Sequence, residues 1–452
     1  MIRSSAPRPS APIRVALTGA NGGYGRTLLD QLRRIPGMHA VQLVDPDVDG
    51  VARMLDALGF DRADIVRSTT AEESAAAVAA GKIALISAGT AIAWDALDVL
   101  VEATGRIEAG YAYADAALEA GAHVVMVSKE IESVAGVALS AKARAKGLRY
   151  LPGDGDQPAN LIRLVEWVLA TGFDIVALGK SGEYDLAFDP ATGIVNQNGV
   201  EIAAPELAGL LELSDDVAAT LDARAAAVGS LKRAAAADAC EMNVVSLYTG
   251  AIADIETMHY PVARPDELAD IYAERADGGI LTDTGVVDVF SMLRLPGEAS
   301  FAGGVFVVVR TGDDVTWEIL RGKGHVISRN GRYACIYWPY HFMGIETPLT
   351  IAAAVDGTRP PAEPRQCTVL AARATGALTA GTRFRVEGHH HEISGVAPVI
   401  VAPDGGEIAP YYLLSGARLT ADVAEGQLIT LADLADVPAA ASAAYATGLS
   451  LT

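Results

Sequence analysis

Cysteine is scarce in this 452-residue chain: Cys240, Cys335 and Cys367 are its only three. They stand far apart, in odd number and without a Cys-x-x-Cys spacing. That excludes a disulfide framework and a cysteine-rich zinc or redox centre, and it fits a reducing, cytoplasmic setting. Basic residues are also short: 35 Lys and Arg face 56 Asp and Glu, for a formal net charge of −21. Such a surface repels polyanions, so nucleic acid and anionic membranes are excluded as partners, and an anionic small substrate would need a local basic pocket. Long apolar runs are missing too. No stretch of about eighteen residues is free of a charge or a glycine break, which excludes a membrane-spanning helix. Residues 1–12, rich in Ser, Pro and Ala, lack the apolar core of a signal peptide and read as a disordered lead-in.

What is present is ample apolar material: hydrophobic residues make up 51% of the chain and charged residues 20%. At this length two or three packed domains are expected. Residues 13–18 (IRVALT) form a β-branched run, followed by glycines, a helical stretch at 26–32 and a second apolar strand at 41–44, which together read as a βαβ unit. Further strands at 83–87 and 123–127 alternate with alanine-rich helical segments at 113–120 and 137–146, the rhythm of a parallel sheet covered on both faces. The expected fold class is therefore α/β, with a Rossmann-type doubly wound domain over residues 13–152. An α+β domain follows over 153–363, with helices at 160–171 and 205–228 and strands at 174–179 and 305–310. After Pro360-Pro361, short strands at 367–372, 382–387 and 399–402 between Gly and Pro turns suggest a small β-rich module over 364–438. The alanine-rich tail, 439–452, reads as peripheral.

The glycine run Gly19-Ala20-Asn21-Gly22-Gly23-Tyr24-Gly25 sits between strand and helix. Absent side chains there let backbone N–H groups approach a pyrophosphate at the positive end of the helix. Asp45, about twenty residues further on, ends the second strand, where a carboxylate holds the adenosine ribose and repels a 2′-phosphate. No Arg follows it in Pro46-Asp47, so NAD is favoured over NADP. Val101-Glu102-Ala103-Thr104-Gly105 lies at the sheet edge where ligands bind, and Thr104 and Gly105 are placed near the nicotinamide; a plain strand-to-helix turn is the alternative.

Gly153-Asp154-Gly155-Asp156-Gln157-Pro158 concentrates two carboxylates and an amide, suited to a divalent cation or to substrate hydroxyls, and equally to Asx turns and a helix start. Lys180, at the end of an apolar strand, can donate to a substrate oxygen whose charge changes during hydride transfer, or move the proton itself if burial lowers its pKa. Otherwise it is a solvated loop lysine. Glu241, Asn243, His259 and His341 are further candidates for the substrate pocket, although aromatic neighbours suit both histidines to structural roles. In His389-His390-His391, adjacent side chains on a strand point to opposite faces and cannot converge on one ion, so the tract reads as surface.

Taken in order, VEATG (101–105), HVVMVSKEIE (123–132), GDQP (155–158), LGKSGEY (178–184), EMNVV (241–245), MHYP (258–261), DGGIL (277–281), PYHFMGIETPL (339–349) and DVAEGQLIT (422–430) resemble one family across nearly the whole chain. It is the oxidoreductases with a homoserine-dehydrogenase-like N-terminal part and a C-terminal SAF domain, which include the 1-deoxyxylulose 5-phosphate reductoisomerase-like enzymes. The resemblance implies a Rossmann domain, an α+β substrate and oligomer domain and a β-clip-like SAF module. It also implies reduction or oxidation of short sugar-derived compounds, sometimes with isomerisation aided by a divalent metal. Carried over, it points to Lys180, Asp156 and Glu130 as pocket residues. Where relatives show Asn-Val-Glu-Ala-Asp, this chain has Ser128-Lys129-Glu130-Ile131-Glu132, which sets a new cation, Lys129, beside the nicotinamide.

The expectation is an NAD(P)-dependent oxidoreductase of a small polyhydroxylated, phosphorylated or branched carbonyl compound or alcohol, assembled as a dimer or tetramer. Lys180, Asp156 and Lys129 would carry the chemistry, and Glu130, Asp154, Gln157, Glu241, His259 and His341 the substrate. Ser128 and Lys129 join the glycine loop at the cofactor. The alternatives are a homoserine-type dehydrogenase and a non-catalytic NAD or sugar sensor.

Overall fold

The computed structural model describes residues 11–359, 363–388 and 390–451. Residues 1–10 of the expected lead-in (1–12), Pro360-Pro361 and His389 lie outside the described residues. Seven strands, β1 (Ile13–Thr18), β2 (Met38–Val44), β3 (Ile65–Ser68), β4 (Ile83–Ile86), β5 (Val99–Glu102), β6 (His123–Met126) and β7 (Tyr150–Pro152), form one sheet. Their order is β3-β4-β2-β1-β5-β6-β7 and every pair is parallel. Helices α1 (Gly23–Leu32), α2 (Val48–Ala57), α3 (Ala71–Ala79), α4 (Ile107–Glu119) and α5 (Lys129–Ala145) cover it.

Two-residue alternation decides which side chains meet which helices. Val15, Leu17, Val99 and Val101 pack with Leu28, Leu29 and Leu55 on one side. Ala16, Leu100, Val124 and Met126 pack with Leu118, Ile131 and Leu139 on the other. Each such buried Val or Leu contributes about 1.5–3 kcal/mol. β5 lies beside β1 although β2 follows β1 in sequence, so the strand order reverses there and opens a crevice at the carboxyl ends of the two strands.

The second domain is a mixed sheet centred on β8 (Ile175–Ser181). The strand Val286–Arg294 pairs with it in parallel and Val305–Arg310 antiparallel, the latter continuing to Tyr333–Trp338. Helices α6 (Gln157–Ala170) and α8 (Ala236–Thr249) lie on one face, with Leu161, Leu164, Cys240 and Val245 packed around Leu178, Val287 and Val307. The single helix expected over 205–228 is instead a 3-10 turn at Pro205–Gly209 and a separate helix, α7 (Val217–Ala227). Asp216 restarts the helix by accepting a hydrogen bond from Ala219 N. The C-terminal module contains short antiparallel pairs, the longest between Val369–Ala374 and Val396–Val401.

The domains are not consecutive blocks. The helix Thr347–Asp356 returns to the first sheet and places Ile351 in its core. The tail is not peripheral either: the helix Ala439–Ser450 buries Ala441, Ala444, Tyr445 and Gly448. Its small residues allow close approach to α5, and a Cβ on Gly448 would stand 3.3 Å from Val137 Cβ.

Candidate active site

At two of its glycines, Gly19 and Gly25, the loop is shaped by contacts that leave no room for a side chain. Gly19 has φ +72°, and a Cβ there would stand 2.3 Å from Ala103 O; at Gly25 it would stand 2.3 Å from Ala20 O. Gly22 and Gly23 meet nothing closer than 3.4 Å. α1 begins at Gly23 and no side chain caps it, so its first N–H groups are open to a phosphate. Asp45 accepts hydrogen bonds from Asn21 N at 3.0 Å and Asp47 N at 2.9 Å, and Asn21 Nδ2 donates to Asp47 Oδ2 at 3.1 Å. These residues fit a dinucleotide. The Tyr24 hydroxyl is buried and pairs with Thr347, and burial pushes the phenol far up.

At the carboxyl end of β5, Glu102 is buried, and burial pushes its carboxyl up. Its Oε1 accepts from Thr104 N at 2.9 Å and from Thr104 Oγ1 at 2.5 Å, while Ser128 Oγ accepts from Gly105 N at 2.8 Å. The turn after β5 is thereby tied to the start of α5.

One residue further on, Lys129 reaches the second domain. Its Nζ lies 2.5 Å from Glu241 Oε1. Glu241 Oε2 pairs with Lys180, whose Nζ also lies 2.7 Å from Asp238 Oδ1. Lys180 therefore sits inside β8, fully buried, rather than in a loop after it. Alternation along β8 turns it to the face of Leu178, toward α8, where Asp238 and Glu241, three residues apart, share one side of the helix.

Burial alone would lower the Lys180 pKa, but Asp238 and Glu241 outweigh it and raise it, so this lysine is a fixed cation and not the proton carrier the sequence allowed. Lys129 is raised for the same reason, with Glu241 foremost. Burial would raise Glu241, yet Lys129 and Lys180 hold it well below the usual carboxylate range. Asp156 goes the other way: burial pushes it up against the pull of Lys129. It is the N-cap of α6 but makes no side-chain capping bond, so its carboxyl is not committed to the helix. Burial pushes Asp238 up as well, but Asp238 is paired with Lys180, which leaves Asp156 as the raised carboxyl of this cluster outside the lysine pairs.

His341 Nδ1 lies 3.2 Å from Gly303 O, and Gln157 Nε2 lies near the same glycine, beside Asp156. Other expected substrate residues are spent on structure. Asp154 is buried in ion pairs with Arg359 and, at 3.4 Å, Arg163. His259 packs on Asp254 at 3.0 Å and under Asp288, and Asn243 Oδ1 accepts from Thr368. The possible divalent-metal site finds no donor set: among the described residues no three His, Cys, Asp or Glu converge, and Asp156, Asp238 and Glu241 are interleaved with ammonium groups.

Two residues escaped the sequence reading. Asp238 was legible as the i−3 neighbour of Glu241 on a helix. His391 was assigned to the surface, but it pairs through Nδ1 with Glu130 Oε1. Both border cavities: about 180 Å³ beside Asp238, His390 and Tyr184, and about 840 Å³ between Thr104, Gly105, Glu130 and His391.

Two family models match in tandem. The homoserine dehydrogenase NAD binding domain covers residues 22–152, and the catalytic domain of oxidoreductase DRL covers residues 155–347. No curated protein matches the chain. Among solved structures, dihydrodipicolinate reductase from Paenisporosarcina sp. TG-14, with dipicolinate bound, is 13% identical over 76% of this chain and 95% of its own, with a TM-score of 0.33. An oxidoreductase from Agrobacterium radiobacter in complex with NAD+, L-tartaric acid and magnesium is 12% identical over 78% and 92%, with a TM-score of 0.39. DOX-P reductoisomerase in complex with magnesium is 20% identical over 38% of this chain and 46% of its own, with a TM-score of 0.27. Among the described residues no helix is long and apolar enough to cross a membrane.

Proposed function

From the tandem of a homoserine dehydrogenase NAD binding domain and a DRL catalytic domain, which makes this chain an NAD(P)-dependent oxidoreductase, we infer a substrate that is a small polyhydroxylated carbonyl compound or alcohol. The observation that carries the inference is the bridging of Lys129 and Lys180 by Glu241 where the two domains meet. A bound nicotinamide would accept or supply the hydride. In alcohol oxidation the hydroxyl proton passes to Asp156, and the cations of Lys129 and Lys180 stabilise the oxygen as negative charge grows on it. In reduction the proton returns from Asp156 to the new alkoxide. Gln157 and His341, beside Asp156, supply hydrogen bonds for neighbouring hydroxyls, which favours a polyol-like or sugar-derived substrate over a simple alcohol.

NAD is the preferred cofactor in this reading, because Asp45 sets a carboxylate where a 2′-phosphate would lie. The test is a panel of free and phosphorylated sugars, polyols and their oxo forms, followed by nicotinamide absorbance. Turnover on a polyhydroxylated compound, retained cofactor binding and lost turnover in Asp156→Asn support the reading. Binding without turnover across the panel would reassign the chain to a sensor, and turnover confined to an amino-acid semialdehyde would make it a homoserine-type dehydrogenase.

A further inference from the structure

We propose that the C-terminal module completes the cofactor site: His391, held on Glu130, forms one wall of the nicotinamide subsite and touches the nicotinamide end of the bound dinucleotide. The inference rests on the oxidoreductase reading and adds to it a residue from outside both matched domains.

The placement follows from the sheet. The adenosine half belongs over Asp45 at the end of β2, so the nicotinamide half crosses the β1–β5 crevice toward the ends of β5 and β6. There the turn after β5, the start of α4 and Glu130 of α5 line a cleft of about 840 Å³, a size suited to a small-molecule ligand. Its opposite wall is the C-terminal module, with Arg385, Gly388, His391 and Tyr412. His391 comes closest: a Cβ built on Gly105 would stand 3.5 Å from His391 Cε1 and 3.7 Å from Glu130 Oε2.

The imidazole is fixed by built features rather than by chance contact. Glu130 is buried in the first turn of α5, next to Lys129, and its Oε1 holds His391 Nδ1. With Nδ1 occupied, Nε2 is the ring nitrogen left for a ligand. His391 has φ +54°, a left-handed backbone that residues with side chains rarely adopt and keep only where the surroundings impose it. Those surroundings include α8, whose Ala237 N donates to His390 O at 3.2 Å, one residue before Asp238. The same short segment thus touches the nicotinamide turn and the helix that carries the Lys180 partners.

Calorimetric titration of the full-length protein with NAD+ and with ADP-ribose, which lacks the nicotinamide, tests this without a known substrate. If the chain holds NADP+ instead, NADP+ and 2′-phospho-ADP-ribose replace them. His391→Ala is expected to weaken the dinucleotide about threefold to tenfold, the equivalent of one lost hydrogen bond, and to leave ADP-ribose unchanged. Glu130→Gln, which removes the anchor and not the ring, should show the same selectivity to a smaller degree. General loosening of the fold would weaken both ligands alike, and that outcome, or no change in either, overturns the proposal. If neither ligand binds the wild type, the cofactor reading itself falls, and this inference with it.

Discussion

Replacing Lys180 by methionine removes a cation that faces both Asp238 and Glu241. Breaking a buried ion pair by deleting one partner costs about 3–5 kcal/mol. Glu241 keeps Lys129, so the orphan is Asp238, and burial already pushes that carboxyl up, against Lys180. It can take a proton instead of remaining an uncompensated charge, which puts the cost near the lower end, about 3 kcal/mol. In a domain of this size that corresponds to a fall in Tm of about 6–12 °C by scanning calorimetry. The sign with pH follows from the same group. A carboxyl raised in the folded state binds its proton more tightly there, so stability is fullest at low pH and is lost as pH rises through the folded value. The deficit of Lys180→Met should therefore shrink as pH is lowered, and Asp238→Asn added to it should recover part of the loss. A Tm change under about 2 °C, or a deficit that grows as pH falls, would refute the placement of Lys180 as a buried, paired cation.

Four further outcomes are open to direct measurement. Gly19→Ala puts a Cβ 2.3 Å from Ala103 O at φ +72°, so it should abolish dinucleotide binding, measured by NADH fluorescence, and lower Tm. Asp45→Ala frees two backbone N–H groups and should reduce NAD+ affinity by about tenfold while raising NADP+ affinity relative to NAD+. Burial pushes Glu132 up to about 7, against hydrogen bonds from Tyr150 and Tyr248, so its contribution is fullest below its ordinary range and fades as pH rises to about 7. Glu132→Gln should accordingly raise stability at about pH 8 by of order 1–2 kcal/mol relative to its effect at about pH 5, read from paired melting curves. Tyr445→Ala leaves a cavity beneath the C-terminal helix, and should cost about 3–4 kcal/mol in urea unfolding.

Much of the first domain was legible because local pattern and tertiary role coincide there. The β-branched runs at 13–18 and 41–44 had to be buried on both faces, and the glycines between strand and helix had one physical use. Asp156, Lys129, Lys180 and Glu241 were legible as residue types at strand and helix ends, and the fold brings all four together. Their protonation was not legible. A lysine after an apolar strand reads the same whether burial lowers its pKa or two carboxylates raise it, and the second carboxylate, Asp238, lies 58 residues away in sequence. Asp154 shows the converse: it shares a loop with Asp156, but Arg359 takes it into the core. His391 was hidden because its partner, Glu130, is 261 residues distant and lies in another domain. The tail misled for a simpler reason. An alanine-rich helix carries little amphipathic signal, since small residues pack by close approach rather than by a broad apolar stripe.

That tail also bears on how the protein is made. α5 ends at Ala145, and the helix that covers it begins at Ala439, so the ribosome must add the entire second sheet and the C-terminal module before the first domain is sealed. At about 5–20 residues per second this leaves the outer face of α5 bare for roughly 15–60 s. During that interval the nascent chain presents an apolar surface that a chaperone can hold, and a chain truncated before Ala439 would keep it bare throughout its life. The packing of the first domain is thus completed by residues added roughly three hundred positions after α5, which ties the folding of the two ends of this sequence together.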